Sequence, residues 1–157
     1  MHPVRFGVFI LRDSIAAAQA AARKAEEQGF YSVSVNDHFY SPLGDARSPQ
    51  LECFTALTAM ACVTSRIRLV PAVAAVSFRN PAMLAKIMTC VDLASNGRFT
   101  AGLGAGWQPT EYVAHDYPFP STGERLEQLD EAISMAFSRV TAKDAMGWFA
   151  SCGYSII

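Results

Sequence analysis

Two neighbouring side chains, Asp37 and His38, have the chemistry for proton transfer, and they follow the apolar run 33–35. An imidazole titrates near neutral pH, and a carboxylate can orient it or bind the polar edge of a cofactor. Adjacent residues of an extended chain point to opposite sides, so these two side chains need not touch. Taken alone, the tripeptide Asn36-Asp37-His38 is better explained by a turn, because Asn and Asp are common turn residues.

A second candidate is the glycine-rich segment 102–106, which directly follows an apolar run. Its backbone N–H groups could surround a phosphate or a ring, but a tight turn explains the glycines equally well. It is not the dinucleotide fingerprint G-x-G-x-x-G, because Trp107 stands where the third glycine is needed. Metal ligation by His38, His115 and nearby carboxylates is not supported by their spacing.

The pattern of apolar residues predicts four strands and four helices in strict alternation. The strands are predicted at 5–10, 31–35, 67–76 and 98–103. The helices are predicted at 14–28, from Ser48-Pro49 to about 61, from Asn80-Pro81 to about 96, and from the capping box 121–124 through 133. Such alternation predicts an α/β fold with a parallel sheet covered by helices. A doubly wound sheet and a (β/α)₈ barrel share this local pattern.

Composition favours small molecules or other protein surfaces as partners. The 157 residues contain 13 Lys and Arg against 14 Asp and Glu, without a run of like charge, so we expect no nucleic-acid partner. No apolar stretch approaches the roughly 20 residues of a membrane span, and residues 1–5 lack the pattern of a signal peptide, which predicts a cytoplasmic location. The four cysteines form no C-x-x-C pair, which favours reduced structural thiols.

In combination, the strand ends resemble the luciferase-like monooxygenase family, specifically its branch of coenzyme F420-dependent oxidoreductases. The resemblance covers about residues 4–133. It is carried by RFGVFI, by AARKAEEQGFYSVSVNDHF, by SFRNPAMLAKIMTCVDLASNGRFTAGLGAGW with the following Glu111, and by ERLEQLDEAI. It implies a TIM barrel with the cofactor at the C-terminal ends of the strands; four β/α units would make a partial (β/α)₈ barrel.

The resemblance also implies roles for individual residues. His38 is similar to the active-site histidine that transfers a proton in the F420-dependent sugar-phosphate dehydrogenases of this branch. The implied cofactor-binding residues are Asp37 after the second strand, Ala72, Val73 and Ala75 after the third, and Ala105 and Gly106 after the fourth. The resemblance further implies a cis peptide bond near the third strand's end, with Ala72-Val73 as the predicted place. No residue is predicted to bind a metal.

The implied activity is hydride transfer between coenzyme F420 and an organic substrate. FMN is the alternative cofactor, and an FMN-dependent monooxygenase the alternative enzyme. One departure puts a sugar-phosphate substrate in doubt: Trp107 stands where those dehydrogenases carry a catalytic glutamate. Glu111 fits the broader pattern G-W-x-x-x-E, and the catalytic role is not transferred to it.

A second departure concerns length, because a closed barrel needs eight units and about 250 residues. We expect residues 1–133 to form the half-barrel domain and 134–157 a divergent tail. A frameshifted or prematurely ended reading frame, or a chosen domain boundary, would each produce such a tail. A half barrel leaves two open sheet edges, so a catalytically inactive half barrel that only binds or assembles, for example as a homo-oligomer, is a further alternative.

Overall fold

The computed structural model describes residues 4–42, 48 and 50–139 of the chain. The strands are β1 (Gly7–Phe9), β2 (Ser32–Val35), β3 (Arg68–Pro71), β4 (Ala74–Ala75) and β5 (Leu103–Gly104). The helices are α1 (Ile15–Glu27), α2 (Cys53–Ala61), α3 (Pro81–Ala94), α4 (Pro109–Ala114) and α5 (Thr122–Arg139), with a 3₁₀ turn at Val76–Phe78. Strands and helices alternate as the sequence pattern predicted, except that β4 directly follows β3 and α5 directly follows α4.

All of the strand pairs are parallel and follow the order of the chain. Strand β2 pairs with β1 on one side and with β3 on the other, and β4 pairs with β5. A parallel bridge between Leu69 and Phe99 joins the segment before β5 to β3. A doubly wound sheet would reverse its strand order, whereas a barrel adds each new strand to the same side. The prediction of an α/β fold that forms part of a (β/α)₈ barrel is therefore confirmed.

Local sequence signals explain where α1 and α5 begin. The Ser14 hydroxyl accepts a hydrogen bond from the N–H of Ala17 at 3.3 Å, and Gly29 follows the helix with a φ of 79°. At α5 the predicted capping box is present: the Ser121 N–H donates to the Glu124 carboxylate at 2.8 Å, and the Glu124 N–H donates to the Ser121 hydroxyl at 3.4 Å.

The core lies between the sheet and the helices packed on its outer side. Apolar side chains of β2 and β3 meet the alanine stripe of α1 and the apolar faces of α2 and α3. The most deeply buried members include Ala22, Val33, Leu57, Met60 and Leu69. Small side chains on α1 let that helix approach the sheet closely, which fixes the strand ends that carry the site.

Three of the predicted boundaries are wrong. The predicted third strand, 67–76, is two short strands, because β3 ends at Pro71 and β4 begins at Ala74. Helix α2 begins at Cys53 and not at Ser48-Pro49; the Glu52 side chain caps it by accepting from the N–H of Thr55 at 2.7 Å. The predicted fourth strand, 98–103, is a bridge at Phe99 followed by the two residues of β5.

Between the predicted fourth strand and the capping box at 121–124, where no helix was predicted, the structure has a helix, α4, with Pro109 at its first turn. Helix α5 continues to Arg139, and the remainder of the predicted tail lies outside the described residues. The division of the chain at residue 133 stays a prediction. Cys53, Cys62 and Cys90 are free thiols, and Cys152 lies outside the described residues. Within the described part of the chain, no helix is long and apolar enough to cross a membrane.

Candidate functional site

His38 forms a hydrogen bond with a carboxylate that is distant in the sequence. Its Nδ1 lies 2.7 Å from Oε2 of Glu111, a residue 73 positions further along the chain. Glu111 is only 1% exposed, and its other oxygen, Oε1, accepts a hydrogen bond from the N–H of Tyr40 at 3.0 Å. Helix α4 supplies Glu111, and the segment after β2 supplies His38. The carboxylate is therefore held on both oxygens, which fixes the orientation of the imidazole ring.

This hydrogen bond determines which nitrogen of His38 is free. An ionised carboxylate only accepts, so Nδ1 carries the proton that it donates to Glu111. In the neutral ring Nε2 is then left with its lone pair, ready to accept a proton. The His38 side chain is 16% exposed and the ring of Trp107 meets it edge-on, with the ring centroids 5.7 Å apart. A histidine oriented by a carboxylate in this way is suited to general acid–base catalysis.

Asp37 points its carboxylate toward the third strand and not toward His38. Its two oxygens accept hydrogen bonds from the guanidinium of Arg79 at 2.6 and 2.9 Å, and one of them also accepts from the N–H of Ala75 at 3.1 Å. Arg79 also donates to Glu52 at 2.9 Å. The Asp37 side chain is thus buried in an ion pair with Arg79, and its hydrogen bond with the N–H of Ala75 connects the end of β2 to β4.

Burial, hydrogen bonds and neighbouring charges shift the pKa values of Arg79 and Glu52. Burial acts to lower the pKa of Arg79, but the hydrogen bonds and charge of Asp37 outweigh it and raise that pKa. Burial acts to raise the pKa of Glu52, but hydrogen bonds from Thr55 and the charge of Arg79 lower it. Both groups are therefore ionised at neutral pH, and two carboxylates share one guanidinium.

The peptide bond between Ala72 and Val73 is cis, at the place that the resemblance implied. Beside it, the Val73 side chain is 49% exposed. Two glycines approach this region closely: a Cβ at Gly104 would collide with Val73, and a Cβ at Gly106 would collide with the hydroxyl of Tyr112. Gly106 also has a φ of 76°, a conformation that favours glycine.

The first cavity, of about 120 Å³, contains nearly all of the predicted site residues. Ala105 is the exception, since it is not part of the lining. Apolar and polar residues line this cavity together. They are Asp37, His38, Ala72, Val73, Ala75, Phe78, Gly106, Trp107, Gln108, Glu111 and Tyr112.

The second cavity, of about 400 Å³, adjoins the first and shares Asp37, His38 and Phe78 with it. Its volume falls in the range of small-molecule sites. Aromatic rings and charged groups face it together. Among the described residues its lining is Asp37, His38, Phe39, Gln50, Glu52, Phe78, Arg79 and Tyr117.

The site also contains residues that sequence reasoning did not assign. Glu111 was noted in a motif but not assigned the catalytic role, and Arg79 was given no role. The Tyr112 hydroxyl shares a 2.6 Å hydrogen bond with Ser77, and burial raises the pKa of Tyr112. Pro109 at a helix start, followed two residues later by Glu111, is the signal that could have indicated α4 and its inward carboxylate.

The structure is part of a parallel α/β barrel, and a histidine oriented by a carboxylate lies at the C-terminal end of its strands. In barrels of this class, functional sites gather at that end. Comparison with known families makes the assignment specific. The family model described as "Luciferase-like monooxygenase" matches residues 2–152. The chain belongs to this family.

Two curated relatives illustrate the similarity. An uncharacterized protein of Mycobacterium tuberculosis is 36% identical over 141 residues, which cover 80% of this chain and 49% of that protein. An F420-dependent glucose-6-phosphate dehydrogenase of Kineococcus radiotolerans is 32% identical over 137 residues, which cover 85% of this chain and 40% of that enzyme. The chain thus spans half or less of the length of these relatives.

A solved structure shares the fold. The oxygenating constituent of 3,6-diketocamphane monooxygenase of Pseudomonas putida, in complex with FMN, superposes with a TM-score of 0.71 at 18% identity. The match covers 86% of this chain and 38% of that chain. At this identity the similarity shows the fold alone.

Proposed function

We propose that this chain provides the cofactor side of an oxidoreductase that transfers a hydride between coenzyme F420 and an organic substrate. The observation that carries the proposal is the hydrogen bond between His38 and Glu111, because it lies in the same cavity as the exposed Val73. Proton transfer and an apolar surface for a flat ring are thereby combined. The relative in Kineococcus radiotolerans, named as F420-dependent, supports this cofactor.

The residues present fit a flat heteroaromatic cofactor. Val73 offers a half-exposed apolar surface, and His38 offers a polar edge to the same cavity. We assign cofactor binding to Asp37 and to the backbone segments that close the strands. These segments contain Ala72, Val73, Ala75, Ala105 and Gly106. When bound, the deazaflavin would supply the carbon that accepts or gives the hydride.

The chain's own residues then handle the proton. A substrate that loses a hydride from carbon also loses a proton from the attached oxygen, and Nε2 of His38 is the group that accepts it. The Glu111 carboxylate accepts the hydrogen bond from Nδ1–H, with Nδ1 and Oε2 2.7 Å apart, and stabilises the imidazolium that forms. In the opposite direction of the reaction, the same Nε2 returns the proton.

The second candidate is an FMN-dependent monooxygenase. The diketocamphane monooxygenase structure, which is in complex with FMN, favours this candidate, because this chain shares its fold. The residues assigned above would bind FMN in the same cavity. Oxygen chemistry would then replace hydride transfer to the deazaflavin.

Titration of the purified chain with coenzyme F420 and, separately, with FMN tests both candidates. We expect a saturable change in the fluorescence of coenzyme F420. Saturable binding of FMN alone would replace the F420-dependent proposal with the monooxygenase. If a sample that is folded by circular dichroism binds neither, the active-enzyme proposal is wrong.

A third candidate is an inactive half barrel that only binds or assembles. Exposed apolar side chains in β1 and just before it favour this candidate, since Val4 is 80%, Phe6 69% and Phe9 44% exposed. Such a surface needs a covering partner, for example a second copy of this chain. Chromatography with mass detection discriminates: a dimer with bound cofactor supports the enzyme, and a cofactor-free aggregate supports the inactive fragment.

A further inference from the structure

We infer that the second cavity, beside His38, is a binding site for a planar aromatic molecule that carries no negative charge. The cavity of about 400 Å³ has room for one or two rings. The chain's own residues form this cavity, so that no bound cofactor is needed to shape it. Calling the bound molecule a substrate rests on the proposed function, whereas the prediction that it binds does not.

Three aromatic side chains form one wall of this cavity. The rings of Phe39 and Phe78 meet edge-on with centroids 5.1 Å apart, and Tyr117 lies 5.9 Å from Phe39 and 5.2 Å from Phe78. On its other side Phe39 stacks on His115, with the centroids 4.1 Å apart and an angle of 29° between the rings. Phe39 is nevertheless 41% exposed, so one part of its ring remains available to a ligand.

The charged side chains that line the cavity exclude anions. Among the described residues of the lining, Arg79 is the one arginine or lysine, and it is already bound to Asp37 at 2.6 Å and to Glu52 at 2.9 Å. Within this described lining, two carboxylates against one guanidinium give a net charge of about −1, before His38 is counted. The Glu52 side chain is 49% exposed and can meet a ligand directly. A phosphate or carboxylate would be repelled, while a neutral or cationic ring is accepted.

Position connects this cavity to the proposed reaction. The two cavities share Asp37, His38 and Phe78, so a ring in the second cavity lies beside the imidazole that moves the proton. The inference therefore deepens the proposed function by naming a substrate class.

The test uses the full chain without cofactor and three probes of the same size: benzylamine, benzyl alcohol and benzoate. Dissociation constants are measured by saturation-transfer NMR at neutral pH and low salt. We expect benzylamine to bind about tenfold more tightly than benzoate, with benzyl alcohol between them, because the probes differ mainly in charge. Equal affinities for benzylamine and benzoate would overturn the inference, and so would absence of binding by all three.

Matched variants locate the binding. Glu52→Gln keeps an acceptor for the cap of α2 but removes one charge, so the ratio of benzylamine to benzoate affinity should fall to about one. The control Glu27→Gln removes an exposed carboxylate from the far end of α1 and should leave the ratio unchanged. Phe39→Leu should weaken all three probes about fivefold. The control Phe9→Leu removes a similarly exposed ring outside the cavity and should leave binding unchanged.

The outcomes separate this inference from the proposed function. A chain that binds benzylamine with the expected dependence on Glu52 but neither F420 nor FMN would keep the site and remove the oxidoreductase. If the chain binds F420 but its probe affinities are unchanged by Glu52→Gln and Phe39→Leu, the oxidoreductase proposal stands and the inference of this site is wrong.

Discussion

The two ends of the partial barrel use charged side chains in different ways. At the N-terminal end of the strands, charges bind backbone groups: the Glu26 carboxylate accepts from the N–H groups of Ser65, Arg66 and Ile67 at 2.6 to 3.1 Å. At the C-terminal end, they bind other ionisable side chains: Glu111 holds His38 and Asp37 holds Arg79. The first arrangement stabilises a loop, whereas the second keeps protons and charges available at a cavity.

Arg98 shows the same behaviour at the N-terminal end. Its guanidinium donates to the carbonyls of Ser95, Ala61, Thr64 and Ile67 and to the Thr64 hydroxyl, at 2.6 to 3.1 Å. All five N–H donors of Arg98 are used. Their acceptors lie at the end of α2, in the loop that leads into β3, and just after α3. In parallel barrels, stability is commonly built at this end and chemistry at the other. Substitutions at the two ends should therefore change different measurements.

The largest effect is expected for His38→Ala. Loss of the proton-transfer group should lower turnover by about 100-fold or more, while cofactor affinity changes less than about threefold. Hydride transfer followed by the absorbance of coenzyme F420, together with its titration, measures both. If the two quantities fall by the same factor, the role assigned to His38 is wrong.

At the opposite end, Arg98→Met should lower the free energy of unfolding by about 3 kcal/mol, because four backbone carbonyls lose their donor. Urea denaturation measures this change. The control Arg66→Met alters an exposed side chain and should cost less than about 0.5 kcal/mol. A stable Arg98→Met variant would contradict the division between the two ends.

A smaller effect on binding is expected for Asp37→Asn, which weakens the pair with Arg79 and the contact with the N–H of Ala75. Cofactor affinity should fall about tenfold, with a lesser change in the turnover of the bound complex. Fluorescence titration and single-turnover rates separate the two quantities. Unchanged affinity in a folded variant would remove Asp37 from the cofactor site.

The smallest effect is expected for Glu26→Gln, at about 1 kcal/mol of unfolding free energy at pH 7. Burial acts to raise the pKa of Glu26, but hydrogen bonds from Ile67, Arg66 and Ser65 outweigh it and lower that pKa. A lowered pKa means that the stabilisation is present above the unfolded value near 4.5 and is lost as the pH falls through the folded value. The difference from wild type should thus shrink below about pH 4.5. A difference that is constant with pH would contradict this account.

Elements with local signals could be predicted from the sequence. Ser14 and Gly29 set the ends of α1, and Ser121 with Glu124 sets the start of α5, because capping depends on residues three or four positions apart. Helix α4 was missed because it has six residues and its cap, Gln108, makes no side-chain cap bond. The start of α2 was misplaced because its cap is Glu52, a residue outside the usual capping set.

The site was harder to predict than the fold. The strand ends that carry His38, Val73 and Gly106 could be identified from the resemblance, and the structure brings them into one cavity. The partner of His38 could not, because 73 residues separate it from Glu111 and no local pattern spans that distance. The ion pair of Asp37 with Arg79 depends in the same way on how β2 lies against β4.

The edge-on contact between Trp107 and His38 gives this protein an optical signal. We expect an imidazolium to quench the emission of the neighbouring indole more than the neutral ring does. The emission of Trp107 should then report the charge of His38 without any added dye. Since the chain contains two tryptophans, replacing Trp148 by phenylalanine would isolate that signal. A spectrometer and a series of buffers would then be enough to observe the protonation of the residue on which the proposed chemistry depends.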